Sequence, residues 1–117
     1  MPLKSKVKES QIQRAIIESL RFQKIACWRI NTVGIPNGSG GFRHNSEMRG
    51  MADIAVIYKG LSVWLEVKTS KGKQSQAQFE FQHAVERAGG FYFVVKSVED
   101  SIKAINEVKK QLNIRTE

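Results

Sequence analysis

The sequence predicts an α/β domain: a mixed four-stranded sheet flanked by helices, with the elements in the order α-β-β-β-α-β-α. Three observations lead there. Ile12, Ile16 and Leu20 recur at four-residue spacing and mark an amphipathic helix. Two apolar runs, residues 53–58 and 62–68, flank Lys59-Gly60 and read as a β-hairpin. A helical segment then separates residues 62–68 from the apolar run 91–96, which makes a strand–helix–strand crossover and a parallel strand pair. The chain of 117 residues, 41% of them hydrophobic, is long enough for one core and too short for two, so one domain is expected over 1–117.

The elements follow in order. The first helix is expected over residues 6–23, with Ala15 beside the apolar stripe, and should end near Lys24. "ACWRINTV", residues 26–33, reads as a strand. Residues 34–50 hold five of the nine glycines and read as a long flexible loop, of the kind that carries function or lacks order. After the hairpin, "TSKGKQ" is a polar loop. Residues 75–88 read as a helix with Ser75 at the N-cap and Gln78 at the capping-box position, stopped by Gly89-Gly90. "FYFVVK" is a fully apolar strand. Ser97 caps a last helix, with Val98, Ile102, Ile105 and Leu112 as its expected buried stripe.

Composition narrows the function. Nineteen Lys and Arg against eleven Asp and Glu leave a formal charge of +8, which suits a polyanionic partner, usually nucleic acid. A membrane surface fits less well, because no segment is a strongly basic amphipathic anchor. The single cysteine, Cys27, excludes an internal disulfide framework and a Cys-rich zinc site. Lying in "IACWRI", it reads as a buried structural thiol. The first residues, "MPLKSKVKES", are basic without an apolar core, and no apolar run is long enough to span a bilayer. The cytoplasm, of a bacterial or phage-infected cell, is the expected compartment.

The hairpin carries the chemistry. With Lys59-Gly60 as a two-residue turn, Tyr58 pairs with Leu61, Val56 with Val63 and Ile54 with Leu65, and Asp53 falls opposite Glu66. Side chains alternate along a strand. Ile54, Val56, Tyr58, Leu61, Val63, Leu65 and Val67 therefore share one apolar face. Asp53, Glu66 and Lys68 share the other with Ala55, Ile57 and Trp64. Two carboxylates directly opposite each other repel. Lys68 offsets part of this, and a divalent cation would offset more; hard carboxylate oxygens suit Mg2+ or Mn2+. The competing reading is a solvated acid pair at a fraying sheet end, with Lys68 as a surface ion pair. Two acids and a lysine converging on one point suit phosphodiester hydrolysis, where a metal lowers the pKa of water and positive charge stabilises the transition state.

Asp53 followed across a hairpin by Glu66-Val67-Lys68, in an αβββαβ chain, resembles the PD-(D/E)XK nuclease superfamily. The stretch "RGMAD…WLEVKTSKGKQSQAQFEFQHAVERAGGFYFVVKSVED" is similar to its VRR-Nuc branch, the virus-type replication-repair nucleases. The resemblance implies a restriction-endonuclease-like αβββαβ core plus a C-terminal helix. It further implies that Asp53, Glu66 and the backbone carbonyl of Val67 bind the metal, and that Lys68 positions the attacking water or stabilises the phosphate. Glu9 matches a first-helix glutamate that often completes the site, and Gln78 matches a glutamine typical of the helix after the ExK strand. Where the superfamily often has proline before the first acid, this chain has Ala52.

Two of these positions have other readings. Glu9 falls on the face of Ile12, Ile16 and Leu20, where an acid is uncommon without a partner, yet a first-turn acid also suits the helix dipole. Gln78 is equally the N3 partner of Ser75. Arg43, His44 and Arg49 precede Asp53 and suit a phosphate clamp; Lys71 and Lys73 leave the ExK strand, and with Lys4, Lys6 and Lys8 could line a groove. His44-Asn45 is not an HNH site, because the only other histidine, His83, is mid-helix. Phe79 falls opposite the Ala77/Phe81/Ala84/Ala88 face, so it should be exposed and could mark a subunit contact.

The expectation is a Mg2+-dependent, structure-selective DNA endonuclease, with Mn2+ able to substitute. It is expected as a homodimer on branched DNA such as Holliday junctions or flaps. The alternative is a non-catalytic nucleic-acid-binding module retaining the fold. A nuclease directed at RNA is a third reading.

Overall fold

The computed structural model describes residues 8–30, 35–36, 42–43 and 49–116. Lys4, Lys6 and His44 lie outside them, as do residues 31–33 of the expected first strand. Arg43 is described in its backbone alone.

Helix α1 (Glu9–Phe22) buries Gln13, Ile16, Ile17 and Leu20. The side chain of Gln11 accepts from the backbone N–H of Lys8 at 2.9 Å and closes the first turn. At the other end Lys24 adopts φ 61°, and the N–H of Ile25 reaches back to the carbonyl of Leu20 at 2.9 Å. That left-handed stop turns the chain into strand β1 (Ala26–Arg29).

Within the glycine-rich segment, strands β2 (Ile35–Pro36) and β3 (Phe42–Arg43) form a two-stranded antiparallel sheet. The segment expected as a long flexible loop thus holds a strand pair too short for apolar alternation to announce. Strands β4 (Ile54–Tyr58) and β5 (Leu61–Val67) form the expected hairpin, with Ile54 opposite Leu65, Val56 opposite Val63 and Tyr58 opposite Leu61. Lys59 (φ 48°) and Gly60 (φ 83°) are both left-handed, the backbone of a type I′ turn whose twist matches the strands.

Helix α2 (Gln76–Arg87) crosses from β5 to the parallel strand β6 (Phe91–Val95), and helix α3 (Val98–Thr116) ends the chain. The main sheet has the order β1-β4-β5-β6, with β1, β4 and β5 antiparallel and β6 parallel to β5. The fold class matches the sequence-based expectation.

The core lies between α1, α3 and one sheet face: Ile16, Ile17 and Leu20 meet Ile54, Val56, Val63, Leu65, Val67 and Val95, with Ala104, Ile105 and Val108 from α3. Cys27 is buried among them, as expected. The expected stripe of α3 needs correction. Ser101, Ala104, Ile105 and Val108 are buried, whereas Ile102 is 41% exposed. At 100° per residue Ile102 lies well off the line through residues 101, 105 and 108. Ser101 is tolerated inside because its hydroxyl donates to the carbonyl of Val98 at 2.6 Å.

The opposite sheet face takes α2 over its β5–β6 half. Phe81 stands edge-on to Trp64, with ring centroids 5.0 Å apart, and to Tyr92 at 6.1 Å. The inward positions of α2 are Ala77, Gln78, Phe81, Gln82 and Val85; Ala77 and Phe81 face in as expected, whereas Ala84 and Ala88, expected inside, are exposed. Phe79 is exposed, as expected. Among the described residues no helix is long and apolar enough to cross a membrane.

Candidate metal centre

Asp53 immediately precedes β4, Glu66 and Val67 close β5, and Lys68 follows directly. The register that sets Ile54 against Leu65 brings the two acids to one end of the sheet. Gly50 fixes the approach. It sits at φ 81° with its Cα pressed on α2, where a Cβ would run into the carbonyl of Ala77. Ala52 is fully buried one residue before the acid. On the other side the N–H of Ile30 donates to the Asp53 carbonyl at 2.8 Å, tying Asp53 to the end of β1. The Asp53 carboxylate Oδ2 accepts the N–H of Val67 at 2.7 Å. The first acid is thereby locked to the backbone of the strand that carries the second.

Glu66 is only 3% exposed. Its Oε1 accepts from Nε2 of Gln78 at 2.9 Å and lies 4.0 Å from Nζ of Lys68. Its Oε2 is buried and has no hydrogen-bond partner among the described residues. Burial pushes the Glu66 carboxyl up to about 8. The negative charge of the adjacent Asp53 adds to the rise, Lys68 opposes it, and the charge of Glu9 contributes in the same upward sense. Leaving an ionised oxygen this buried and unsatisfied costs several kcal/mol in the absence of a counter-charge, roughly the penalty of an unpaired buried charge. A solvated pair at a fraying sheet end, the competing reading from sequence, does not describe a carboxylate with this burial.

Gln78 serves both of its sequence readings at once. Its Oε1 accepts from the N–H of Ser75 at 2.8 Å, completing the capping box with Ser75 Oγ, while its Nε2 holds Glu66. The cap of α2 is therefore also the support of the acid. Lys68 is mostly buried, and Gly72 lies against its stem. Glu9 stands half-buried in the first turn of α1, close enough for its charge to act on Glu66. Arg49, Lys8, Lys71 and Lys73 are exposed.

Two residues near the acids carry no signal in the sequence reading. Tyr92 pairs with Trp64 across β5–β6, which places it on the α2 face beside Glu66's column. Its hydroxyl accepts from Nε2 of Gln74 at 3.2 Å, and Gln74 also donates to Gln82 at 2.9 Å. Burial, with the nearby charges of Glu66 and Asp53, pushes Tyr92 up to about 12 against the opposing hydrogen bond from Gln74. In an apolar run such as "FYFVV" only the strand's alternation and its pairing with β5 could have singled this tyrosine out.

The donor set fits a hard divalent cation. Two carboxylates meet, one oxygen lacks any partner, and the carboxyl that owns it is held protonated near neutral pH by burial and like charge. Among the described residues no three His, Cys, Asp or Glu side chains converge as a metal-holding group, so backbone carbonyls and solvent would have to complete a coordination shell.

No protein-family model matches the chain, and no curated protein matches it by sequence. Solved structures do match. One described as a VRR_NUC domain superposes with a TM-score of 0.62 at 22% identity, covering 86% of this chain and 97% of its own. Another, a VRR_NUC domain protein, gives 0.57 at 14% identity and covers 89% of each chain. Over most of its length the chain thus shares the fold of these VRR_NUC domain structures.

Proposed function

We propose that the chain is a divalent-metal-dependent nuclease that hydrolyses phosphodiester bonds in DNA. One observation carries the reading. A buried glutamate with an unpartnered oxygen sits against a second carboxylate at the end of a hairpin, and a lysine stands 4.0 Å away. Asp53 and Glu66 would hold the cation, Mg2+ or Mn2+, with the carbonyl of Val67 and solvent as further donors; Glu9, proposed from α1 for the same site, adds its charge from outside that donor set. Bound there, the cation supplies Lewis acidity, easing deprotonation of water and drawing charge from the phosphate oxygens.

The chain's own residues do the rest. The N–H of Val67 and the side-chain amide of Gln78 orient one carboxylate each, so neither has to be ordered when substrate arrives. Lys68 places a fixed positive charge where the phosphoryl group gains negative charge. Arg49, Lys8, Lys71 and Lys73, with Arg43, His44 and Lys6, are proposed to contact the substrate backbone. One small domain covers little DNA, so a homodimer acting on a branched substrate, such as a four-way junction or flap, is the proposed working form.

A cleavage panel of duplex, single strand, flap and four-way junction tests this, with Mg2+ and with EDTA, across protein concentrations that reveal dimer dependence. Metal-dependent cutting that disappears in Asp53→Ala and Glu66→Ala supports it. Binding without cutting in every metal would favour a non-catalytic nucleic-acid-binding module on the same fold. Cutting of RNA alone would reassign the substrate.

A further inference from the structure

Away from the acids, a groove runs between α1 and the edge strand β1. One part, of about 390 Å³, is lined by Arg14, Ile17, Glu18, Arg21 and Arg29. A second, of about 240 Å³, shares Arg14, Glu18 and Arg29 with it and continues along Gln11 and Ser10. Three arginines therefore face one acid. Among the described residues none of the three has a carboxylate within ion-pair distance, the ion pair found there being Lys68–Glu66. Arg21 donates to the carbonyl of Cys27 at 3.3 Å, which holds its guanidinium against β1 at the groove it lines.

The placement of the arginines is ordered. Gln11, Arg14, Glu18 and Arg21 follow one another at intervals of three and four residues, a single stripe along α1. Arg14 and Arg21 are seven residues apart, about 10 Å along the helix axis, a span longer than one phosphate-to-phosphate step of a nucleic-acid strand. Arg29 pairs with Ile54, the residue after Asp53. The groove thus begins at the sheet end that holds the carboxylates and leads away from it along α1.

We infer that this α1–β1 groove binds the phosphodiester backbone of one nucleic-acid strand, with Arg14, Arg21 and Arg29 contacting successive phosphates beyond the site of cutting. Arginine suits the task because its planar fork grips phosphate oxygens in pairs. The length of the groove favours a strand over a small anion, and Glu18 tempers the affinity. The inference rests on the nuclease reading and adds a surface to it.

The test is fluorescence anisotropy of a labelled DNA duplex and four-way junction in EDTA, over about 50 to 200 mM salt. Arg14→Ala/Arg29→Ala is expected to weaken binding about tenfold at the low-salt end and to reduce the salt slope by about 2, one for each lost phosphate contact. Glu18→Gln is expected to tighten binding severalfold, which a merely structural residue would not do. Lys103→Ala/Lys110→Ala on α3 removes the same charge elsewhere and is expected to change binding much less. Equal losses in the arginine and lysine pairs, an unchanged salt slope, or displacement of DNA by micromolar pyrophosphate would each overturn the groove. Metal-dependent cutting retained at wild-type affinity in the arginine pair sinks the groove alone. Absence of DNA binding by the wild type sinks both readings.

Discussion

Replacing Glu66 by glutamine isolates the electrostatic cost of the acid pair. Glutamine keeps the shape, still offers a carbonyl to Gln78, and can donate to Asp53 where the carboxylate repels it. The wild-type carboxyl is pushed from 4.5 to about 8 in the folded chain, first by burial and then by Asp53. Between those values the folded state holds a proton that the unfolded state has released, so stability falls as pH rises. The loss is absent below about pH 4.5, near 3 kcal/mol at pH 7, and close to 5 kcal/mol above pH 8. Because Glu66 is 3% exposed, solvent screening does little to reduce it. That is a large part of the 5–15 kcal/mol expected for a domain of this kind. Urea unfolding in EDTA from pH 4.5 to 8.5 should show the two proteins converging at the acid end and Glu66→Gln pulling ahead as pH rises. Mn2+ at pH 8 should restore the wild type and leave the variant unmoved. Stability curves that run parallel across the whole range would refute the argument, since burial and Asp53 would then not be suppressing ionisation.

Other outcomes follow from the same geometry. Lys68→Ala should abolish cutting in the cleavage panel while leaving Mn2+ affinity within a few-fold, because the ammonium sits 4.0 Å from Glu66 and is assigned to the phosphate. Gln78→Ala should lower the melting temperature, because the reciprocal half of the capping box is lost while Ser75 still caps, at a cost of about 1 kcal/mol, and should also reduce the cutting rate, because one side chain serves both roles. Gly50→Ala should cost more than about 2 kcal/mol in urea unfolding, since it combines a left-handed backbone with a collision against Ala77.

Much of the site was readable from residue order alone, and the reason is the hairpin. A two-residue Lys59-Gly60 turn leaves one register, so placing Asp53 against Glu66 needed only counting outward from it. Capping chemistry likewise marked the start of α2 at Ser75. What residue order hid depends on contacts between distant segments. Gln78 looked like either a cap or a site residue, and only the approach of α2 to β5 shows both. Tyr92 joined the neighbourhood of the acids through the β5–β6 pairing. In α3, hydrophobicity favoured Ile102 over Ser101, but the line of contact with the sheet runs through 101, 105 and 108. The groove arginines, separated by up to fifteen positions, meet because Lys24 folds β1 back along α1.

The most direct test of the central claim is calorimetric titration of Mn2+ into the wild type and into Asp53→Ala, repeated in buffers of different ionisation enthalpy near pH 7. A cation site built on Asp53 and a protonated Glu66 predicts saturable binding that releases about one proton per cation and vanishes in the variant. Binding that is absent, or that persists unchanged without Asp53 and releases no proton, would contradict it.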